Sequence, residues 1–374
     1  MNFNARVAIL SPWGASGGYS GPLTFLNRLW GSVKTDCPAV NITLLYRDRG
    51  EEARPAWADR VVAGVRSARF GRLEQARWVV KVSTWLLCHR FNLDVVHLHG
   101  SYTTNLVPAL FARRGQVVIV PVLESGDLGG LKHAPVKRWV ARRVVSRARA
   151  GLALSEGIVE ELKDLGLPQS RITRLANPAD PRMLDVPVRK RGSADPIRLG
   201  FVGKLGPLKN PHLLMEAASL IRERGREVEV HYYGPFASHA VAASLKSLAA
   251  AHSSQLAVYF HGFTRDVTRA FSTFDVLVLP SAREGLPGAL TEALATGTPA
   301  VVSAAGGMGE LVRASRAGRV VAPEAADIAS AVLSLVEPGE YERATRSARE
   351  FASSQLSPEA VAREYTRKVG IARD

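Results

Sequence analysis

Cysteine is nearly absent: Cys37 and Cys88 are the only two in 374 residues. That excludes a disulfide framework, no Cys/His spacing matches a zinc site, and a reducing cytoplasm is the natural setting. No run approaches the ~20 apolar residues that span a bilayer. The short apolar run at 6–10 reads as a first strand rather than a signal sequence. Also missing are the G-x-G-x-x-G spacing, the P-loop lysine and an Asp-x-Asp pair at a strand end. Basic and aromatic residues form no ribbon, and no nucleic-acid module is recognisable.

What the chain does have is length and positive charge. Its 374 residues suffice for two domains, each with its own core, and 46% hydrophobic residues make an ordinary globular composition. Its 49 Lys and Arg against 34 Asp and Glu leave a net +15. Such a surplus attracts an anionic partner, whether nucleic acid, anionic lipid or a phosphorylated substrate.

The most informative stretch is 275–310, DVLVLPSAREGLPGALTEALATGTPAVVSAAGGMGE. An apolar run at 276–279 predicts a buried parallel strand. A polar loop carrying Glu284 and Gly285 follows, and a helix begins near Pro287. Gly297 and Pro299 end that helix, and 299–303 predicts a second strand. Glu284 thus precedes a helix at the carboxyl end of a strand, where open α/β sheets place ligands. Glu292 stands about two turns into the helix. Backbone N–H groups and the helix dipole make the loop a seat for phosphate. Carboxylates beside such a seat repel phosphate but accept hydrogen bonds from hydroxyls on either side, as in a nucleotide sugar. Two glutamates in this setting are commonly just solvated surface, yet the helix is otherwise small and apolar, which favours a deliberately placed acid.

Other segments point the same way. After 197–202, a predicted strand, come Lys204 and Lys209, both able to reach one anionic ligand; lysine suits phosphate as a point charge. The loop after the first strand holds Gly17 and Gly18, and glycine-rich loops let backbone approach phosphate closely. The run 93–100, LDVVHLHG, is a strand ending in His99, a candidate substrate contact. Residues 117–122 form another buried strand, running into Glu124 and Asp127. Lys132–Arg149 is strongly basic, with Val136, Trp139, Val140 and Val144 at helical spacing; it suits either an anionic membrane surface or a core-packed helix with a solvated basic face. The polar run 181–196 reads as an interdomain linker.

The segment 280–303 resembles the retaining glycosyltransferases of family four, with their PS-x-x-EG-x-G and E-A-x-A-x-G-x-P signature, at Glu284, Gly285, Glu292, Ala293, Gly297 and Pro299. The usual EGFG is EGLP here, with the second glycine displaced to Gly288. Gly17 and Gly18 resemble the family's Gly-Gly loop, LDVVHLHG its D-V-V-H-x-H-G, and Ala176–Asp180 its N-P-x-D segment. Lys204 and Lys209 resemble its G-R-L-x-x-x-K, with lysine replacing arginine at 204. Relatives place a histidine after the strand at 117–122; this chain has none there, leaving Glu124, Ser125 and Asp127 as candidates for that role.

The resemblance implies an α/β protein with the GT-B fold, two Rossmann-like domains facing each other across a cleft. Its parts would be an acceptor-binding domain at 1–185, a nucleotide-sugar-binding domain at 186–356, and a helix at 357–374 crossing back to the first. It implies a hexosyltransferase that uses a nucleotide sugar such as a UDP-sugar, needs no metal, and retains the anomeric configuration. The expected acceptor is a glycan or a growing lipid-linked cell-surface polysaccharide, with no nucleic-acid partner. Catalysis would fall to Lys204, Lys209 and Glu284, and donor binding to Gly17, Gly18, Gly285, Leu286, Gly288 and Glu292. Acceptor or sugar contacts would come from His99, Glu124 and Asp127, and the base would lie near Gly262 and Phe263. The expected location is cytoplasmic, with Lys132–Arg149 available to the inner face of the membrane. A nucleotide-sugar epimerase of the same fold and a non-catalytic sugar-nucleotide-binding protein stand as alternatives.

Overall fold

The computed structural model describes residues 4–12, 21–48, 54–66, 71–100, 102–121, 134–192, 194–264 and 266–371. The chain divides into two compact units, Met1–Pro178 with Pro358–Asp374, and Ala179–Ser357. The first unit therefore ends inside the N-P-x-D segment, and residues 179–185 pack with the second.

Unit 1 is built on seven strands: β1 (Arg6–Ser11), β2 (Asn41–Asp48), β3 (Arg60–Arg66), β4 (Val95–His99), β5 (Val117–Val120), β6 (Ala150–Ala153) and β7 (Ile172–Arg174). Their order is β3-β2-β1-β4-β5-β6-β7 and every pairing is parallel. The helices are α1 (Gly21–Asp36), α2 (Arg72–His89), α3 (Thr103–Ala109), α4 (Pro135–Val145) and α5 (Glu156–Asp164). The central strands are buried along their whole length and made mainly of Val, Ile, Leu and Ala, with His97 and His99 in β4 and Gly151 in β6, as a parallel sheet covered by helices requires.

Unit 2 begins with a single helical turn, α6 (Pro181–Leu184). Its strands are β8 (Ile197–Val202), β9 (Val228–Tyr233), β10 (Ala257–Gly262), β11 (Val276–Leu279), β12 (Ala300–Val302) and β13 (Gly318–Val320). They run parallel in the order β10-β9-β8-β11-β12-β13. Between them lie α7 (His212–Glu223), α8 (His239–Ala251), α9 (Val267–Phe271), α10 (Gly288–Thr296) and α11 (Met308–Ser315), with α12 (Ala325–Leu335) and α13 (Pro338–Phe351) following. One final helix, α14 (Pro358–Val369), packs on α1 within unit 1. There Tyr365 is buried edge-on to Trp30, and its hydroxyl shares a 2.8 Å hydrogen bond with His97 Nδ1.

Two readings of the sequence need correction. The run 181–196 is not a free linker. Arg189 and Arg191 place their Nε atoms 2.7 and 3.7 Å from the carboxylate of Asp275, which is fully buried just before β11. A carboxylate taken out of water needs such partners, so the arginines tie the segment to the body of unit 2. The apolar stripe of α4 also splits: Val140 and Val144 enter the core, while Val136 and Trp139 remain 75% and 62% exposed. Among the described residues no helix is long and apolar enough to cross a membrane.

Candidate active site

In unit 2 the strand order reverses between β8 and β11, whose further neighbours lie on opposite sides. Open α/β sheets bind ligands outside the carboxyl ends of the strands at such a switch point. The loop after β8 carries Lys204 and Lys209 to this position, and the loop after β11 carries Glu284.

The first loop is shaped by local backbone. One 3-10 turn spans Pro207–Lys209, Asn210 adopts a left-handed conformation (φ 47), and Pro211 precedes α7. The αL residue reverses the chain, and asparagine tolerates that conformation better than most side chains. The two loops are then laced together. Asn210 Nδ2 donates to the Pro280 carbonyl at 3.1 Å, and the Ala282 N–H donates to the Leu208 carbonyl at 2.8 Å. The Lys209 ammonium ion-pairs with Glu284 Oε1, which also accepts from Ser281 Oγ at 3.4 Å. Both charged side chains are partly open to solvent, 27% for Lys209 and 13% for Glu284.

The backbone beyond Glu284 is equally constrained. Gly307 N–H donates to the Gly285 carbonyl at 2.8 Å. Gly306 has φ 57, and a Cβ there would lie 2.2 Å from that same carbonyl oxygen, so only glycine fits. Helix α10 then starts at Gly288 behind Pro287, with no side-chain cap and no acidic residue in its first turn. Its leading N–H groups and dipole offer an anion seat close behind Glu284. Gly297 closes the helix in the left-handed conformation, φ 77.

Every residue of α10 from Leu290 to Thr296 is buried, including Glu292, 8% exposed. A carboxylate inside such a helix is unusual among buried residues. Arg182 is one positive charge that Glu292 feels. Asp180 caps α6 through the Arg182 N–H at 3.0 Å and holds the Arg182 guanidinium at 2.7 Å. That carboxylate raises the Arg182 pKa, with smaller contributions from Asp266 and Glu292. Arg349 on α13 fixes the spacing between α6 and α10. Its guanidinium donates to the carbonyls of Met183, Leu184 and Val186 on one side and Ala295 on the other. Arg182 and Arg349 carry no sequence motif, because isolated arginines are ordinary surface residues until their distant partners are known.

The fold thus brings Lys209, Glu284, Gly285 and Gly288 together, with Glu292 further along α10. Gly285 and Leu286 are buried. Lys204 is exposed, and among the described residues it makes no ion pair. Phe263, after β10, is 49% exposed. In unit 1 His99 is fully buried: its Nε2 donates to the Pro22 carbonyl at 2.6 Å and its ring stacks on Phe25. Burial lowers its pKa to about 4. Gly17, Gly18, Glu124 and Asp127 lie outside the described residues. Among those described, no group of three or more His, Cys, Asp or Glu side chains could hold a metal ion.

Two family models match. Residues 13–178 fit the glycosyl transferase 4-like domain and residues 196–338 fit the glycosyl transferases group 1 model, so together they take in most of the chain. Alpha-D-kanosaminyltransferase of Streptomyces kanamyceticus is 26% identical over 310 residues, 75% of this chain and 79% of that protein. The colanic acid biosynthesis glycosyltransferase WcaL of Escherichia coli, itself a putative assignment, is 27% identical over 57% of this chain and 54% of its own length. Among solved structures, HepE of Anabaena in complex with UDP superposes with a TM-score of 0.74 at 17% identity, covering 98% of this chain and all of that one. The same protein has also been solved with UDP-glucose, at a TM-score of 0.71. These neighbours share the GT-B fold of two parallel-sheet α/β domains.

Proposed function

Since the chain belongs to the group 1 glycosyltransferases, we propose that it moves a hexose from a UDP-sugar to a growing lipid-linked cell-surface polysaccharide, with the anomeric configuration retained. The observation that carries this reading is the Lys209–Glu284 ion pair at the unit 2 switch point, beside the uncapped start of α10. The donor's diphosphate takes the Lys209 ammonium and the leading N–H groups of α10. Glu284 accepts hydrogen bonds from the sugar hydroxyls and Glu292 from the ribose. As the glycosidic bond breaks, negative charge grows on the leaving diphosphate, and a cation already in place stabilises that charge most in the transition state. Lys204 adds to the same field. The acceptor hydroxyl attacks on the face from which UDP departs.

The UDP and UDP-glucose complexes of HepE support the nucleotide, and the name of WcaL supports a polysaccharide product. Lysines and backbone N–H groups meet the diphosphate charge, so transfer proceeds without a divalent cation and persists in EDTA. The protein works in the cytoplasm, held at the inner face of the membrane by α4, where Lys137, Arg138, Arg142 and Arg143 flank the exposed Val136 and Trp139. Each cation near an anionic surface contributes about 1 kcal/mol. Flotation with anionic liposomes at low salt tests the attachment, and a protein that stays behind contradicts it.

The function is tested by screening UDP-sugars for a rise in unfolding temperature, which a specific ligand produces by mass action. Turnover of the binding sugar with membrane-extracted acceptor follows, and NMR of the product gives the anomeric configuration. A UDP-hexose that stabilises the protein and is transferred with retention is the expected result. Failure of every UDP-sugar to shift the transition, or inversion in the product, contradicts it.

A further inference from the structure

The amino ends of the unit 1 strands enclose a recess of about 290 Å³. Its walls are Ala5 before β1, residues 93–95 where β4 begins, Gln116 before β5, and Gly370 and Ile371 past α14. Three arginines line it: Arg113 and Arg114 in the turn between α3 and β5, and Arg149 just before β6. A cleft beside it shares Arg113 and Arg114 and adds Arg143, from the last turn of α4, and Arg147 just beyond. Among the described residues none of these five arginines forms an ion pair. Other arginines of unit 1 do find acids: Arg6 with Asp94, Arg66 with Asp48 and Arg174 with Glu156. Asp94 is the only acid lining the recess, and it already accepts from the Arg6 N–H at 2.8 Å.

These arginines stand on a braced frame. The buried Gln116 accepts from the Arg113 N–H at 2.8 Å, and its Nε2 donates to the carbonyls of Arg90 and Leu93 at 2.8 and 2.6 Å. The Gly115 N–H donates to the Arg147 carbonyl at 3.2 Å, and the Arg149 N–H to the Val117 carbonyl at 2.7 Å. The two arginine-bearing turns are thereby tied to each other. The Arg113 guanidinium lies 5.5 Å from the centroid of the Phe91 ring, within cation–π range. Like charges gathered on one frame repel, and an anion that bridges them removes that cost. A fixed frame also reduces the ordering that a ligand must impose on binding.

We propose that this recess is a second anion site, and that its ligand is a small soluble molecule carrying two or more linked phosphates. Each guanidinium is a planar fork that matches phosphate oxygens two at a time. One phosphate sits among Arg113, Arg114 and Arg149. A linked phosphate reaches the neighbouring cleft and its Arg143 and Arg147, with Arg113 and Arg114 serving both. The apolar residues of the recess, Ala5, Leu93, Val95 and Ile371, are all buried, so it offers little to a lipid tail. Its volume stands at the lower limit of about 300 Å³ for small-molecule sites and suits a compact anion. Open α/β sheets place their ligands at the other, carboxyl, end of the strands, so this site stands whether or not the transfer proposed above does.

The test titrates tripolyphosphate and inorganic phosphate calorimetrically into the full chain, with UDP already added to fill unit 2, at about 0.15 M salt so that diffuse attraction is screened. Tripolyphosphate is expected to bind one to one and at least tenfold tighter than phosphate. Arg114→Ala with Arg149→Ala, both on exposed side chains, weakens it at least tenfold with the unfolding midpoint unchanged. Arg77→Ala with Lys81→Ala removes the same charge from exposed positions on α2 and leaves the affinity as it was. Equal affinities for tripolyphosphate and phosphate in the wild type overturn the proposal. So does undiminished binding by the first double variant, or an equal loss in both, which marks a diffuse field rather than a site. Binding of single-stranded RNA or phosphatidylglycerol vesicles without binding of tripolyphosphate also overturns it, in favour of a macromolecular surface. A prior UDP titration that shows no binding counts against the donor site alone and leaves the tripolyphosphate result to stand.

Discussion

Lys209 and Glu284, 75 residues apart in sequence, close an ion pair between the loops that follow β8 and β11. In the proposed donor complex a phosphate takes the lysine over from the carboxylate, which would also repel that phosphate. Glu284→Gln preserves the shape and removes the charge. The variant is therefore expected to bind UDP at least as tightly as the wild type and to transfer sugar at least tenfold more slowly. Calorimetric titration with UDP and steady-state turnover check the two halves. Weaker UDP binding with unchanged kcat would reverse the role given to Glu284.

Glu292 lies inside the buried part of α10 and is assigned to the ribose. A ribose contact that is equal in ground and transition states raises KM more than it lowers kcat when it is lost. Glu292→Gln is expected to raise the donor KM about tenfold with a smaller change in kcat. An unchanged KM in a folded variant would remove the ribose assignment.

The buried carboxylate of Asp275 holds Arg189 and Arg191 and also accepts from the Arg198 N–H at 2.9 Å. Removing one member of a buried pair leaves uncompensated charge, typically costing about 3–5 kcal/mol. Asp275→Asn is expected to lower the unfolding free energy of unit 2 by that order. A denaturant midpoint equal to the wild type would show that the 186–196 segment is not anchored there.

Burial depresses both His97, well below its ordinary value, and His99, to about 4. In the unfolded chain both titrate near about 6.5. The native state keeps them neutral while the unfolded state takes up protons, so unfolded chains bind more protons below about pH 6.5. Stability is then full above that pH and declines as pH falls from about 6.5 towards 4. Denaturant melts at pH 7.5 and 5 should show the loss, and His99→Gln should flatten the slope. A stability that is level or rises on acidification contradicts the buried neutral pair.

Much of this architecture is legible in the chain because parallel strands leave an unmistakable trace. The branched runs of β1, β4, β5, β8 and β11 lie where their apolar residues predict, and Gly297 stops α10 in the left-handed conformation. The reading fails where apolar residues serve two surfaces. Helix α2 carries one apolar set inward and another outward, so its periodicity blurs. It fails again where polar residues find distant partners. Arg189 reads as linker until Asp275, 86 residues later, is brought beside it. Arg349 reads as surface until the carbonyls of Met183 and Ala295, 166 and 54 residues away, converge on it.

Turnover of the UDP-sugar by Lys209→Ala at saturating donor is the most direct measurement of all. Loss of one preorganised donor to developing charge typically costs about 10²–10³ in rate, and kcat is expected to fall by that factor. The pair is partly solvated, so the unfolding free energy should move by no more than about 1 kcal/mol. Lys204, which makes no ion pair among the described residues, should on replacement by alanine act in the same direction and by less. Full turnover by folded Lys209→Ala would place the phosphates elsewhere and contradict the site.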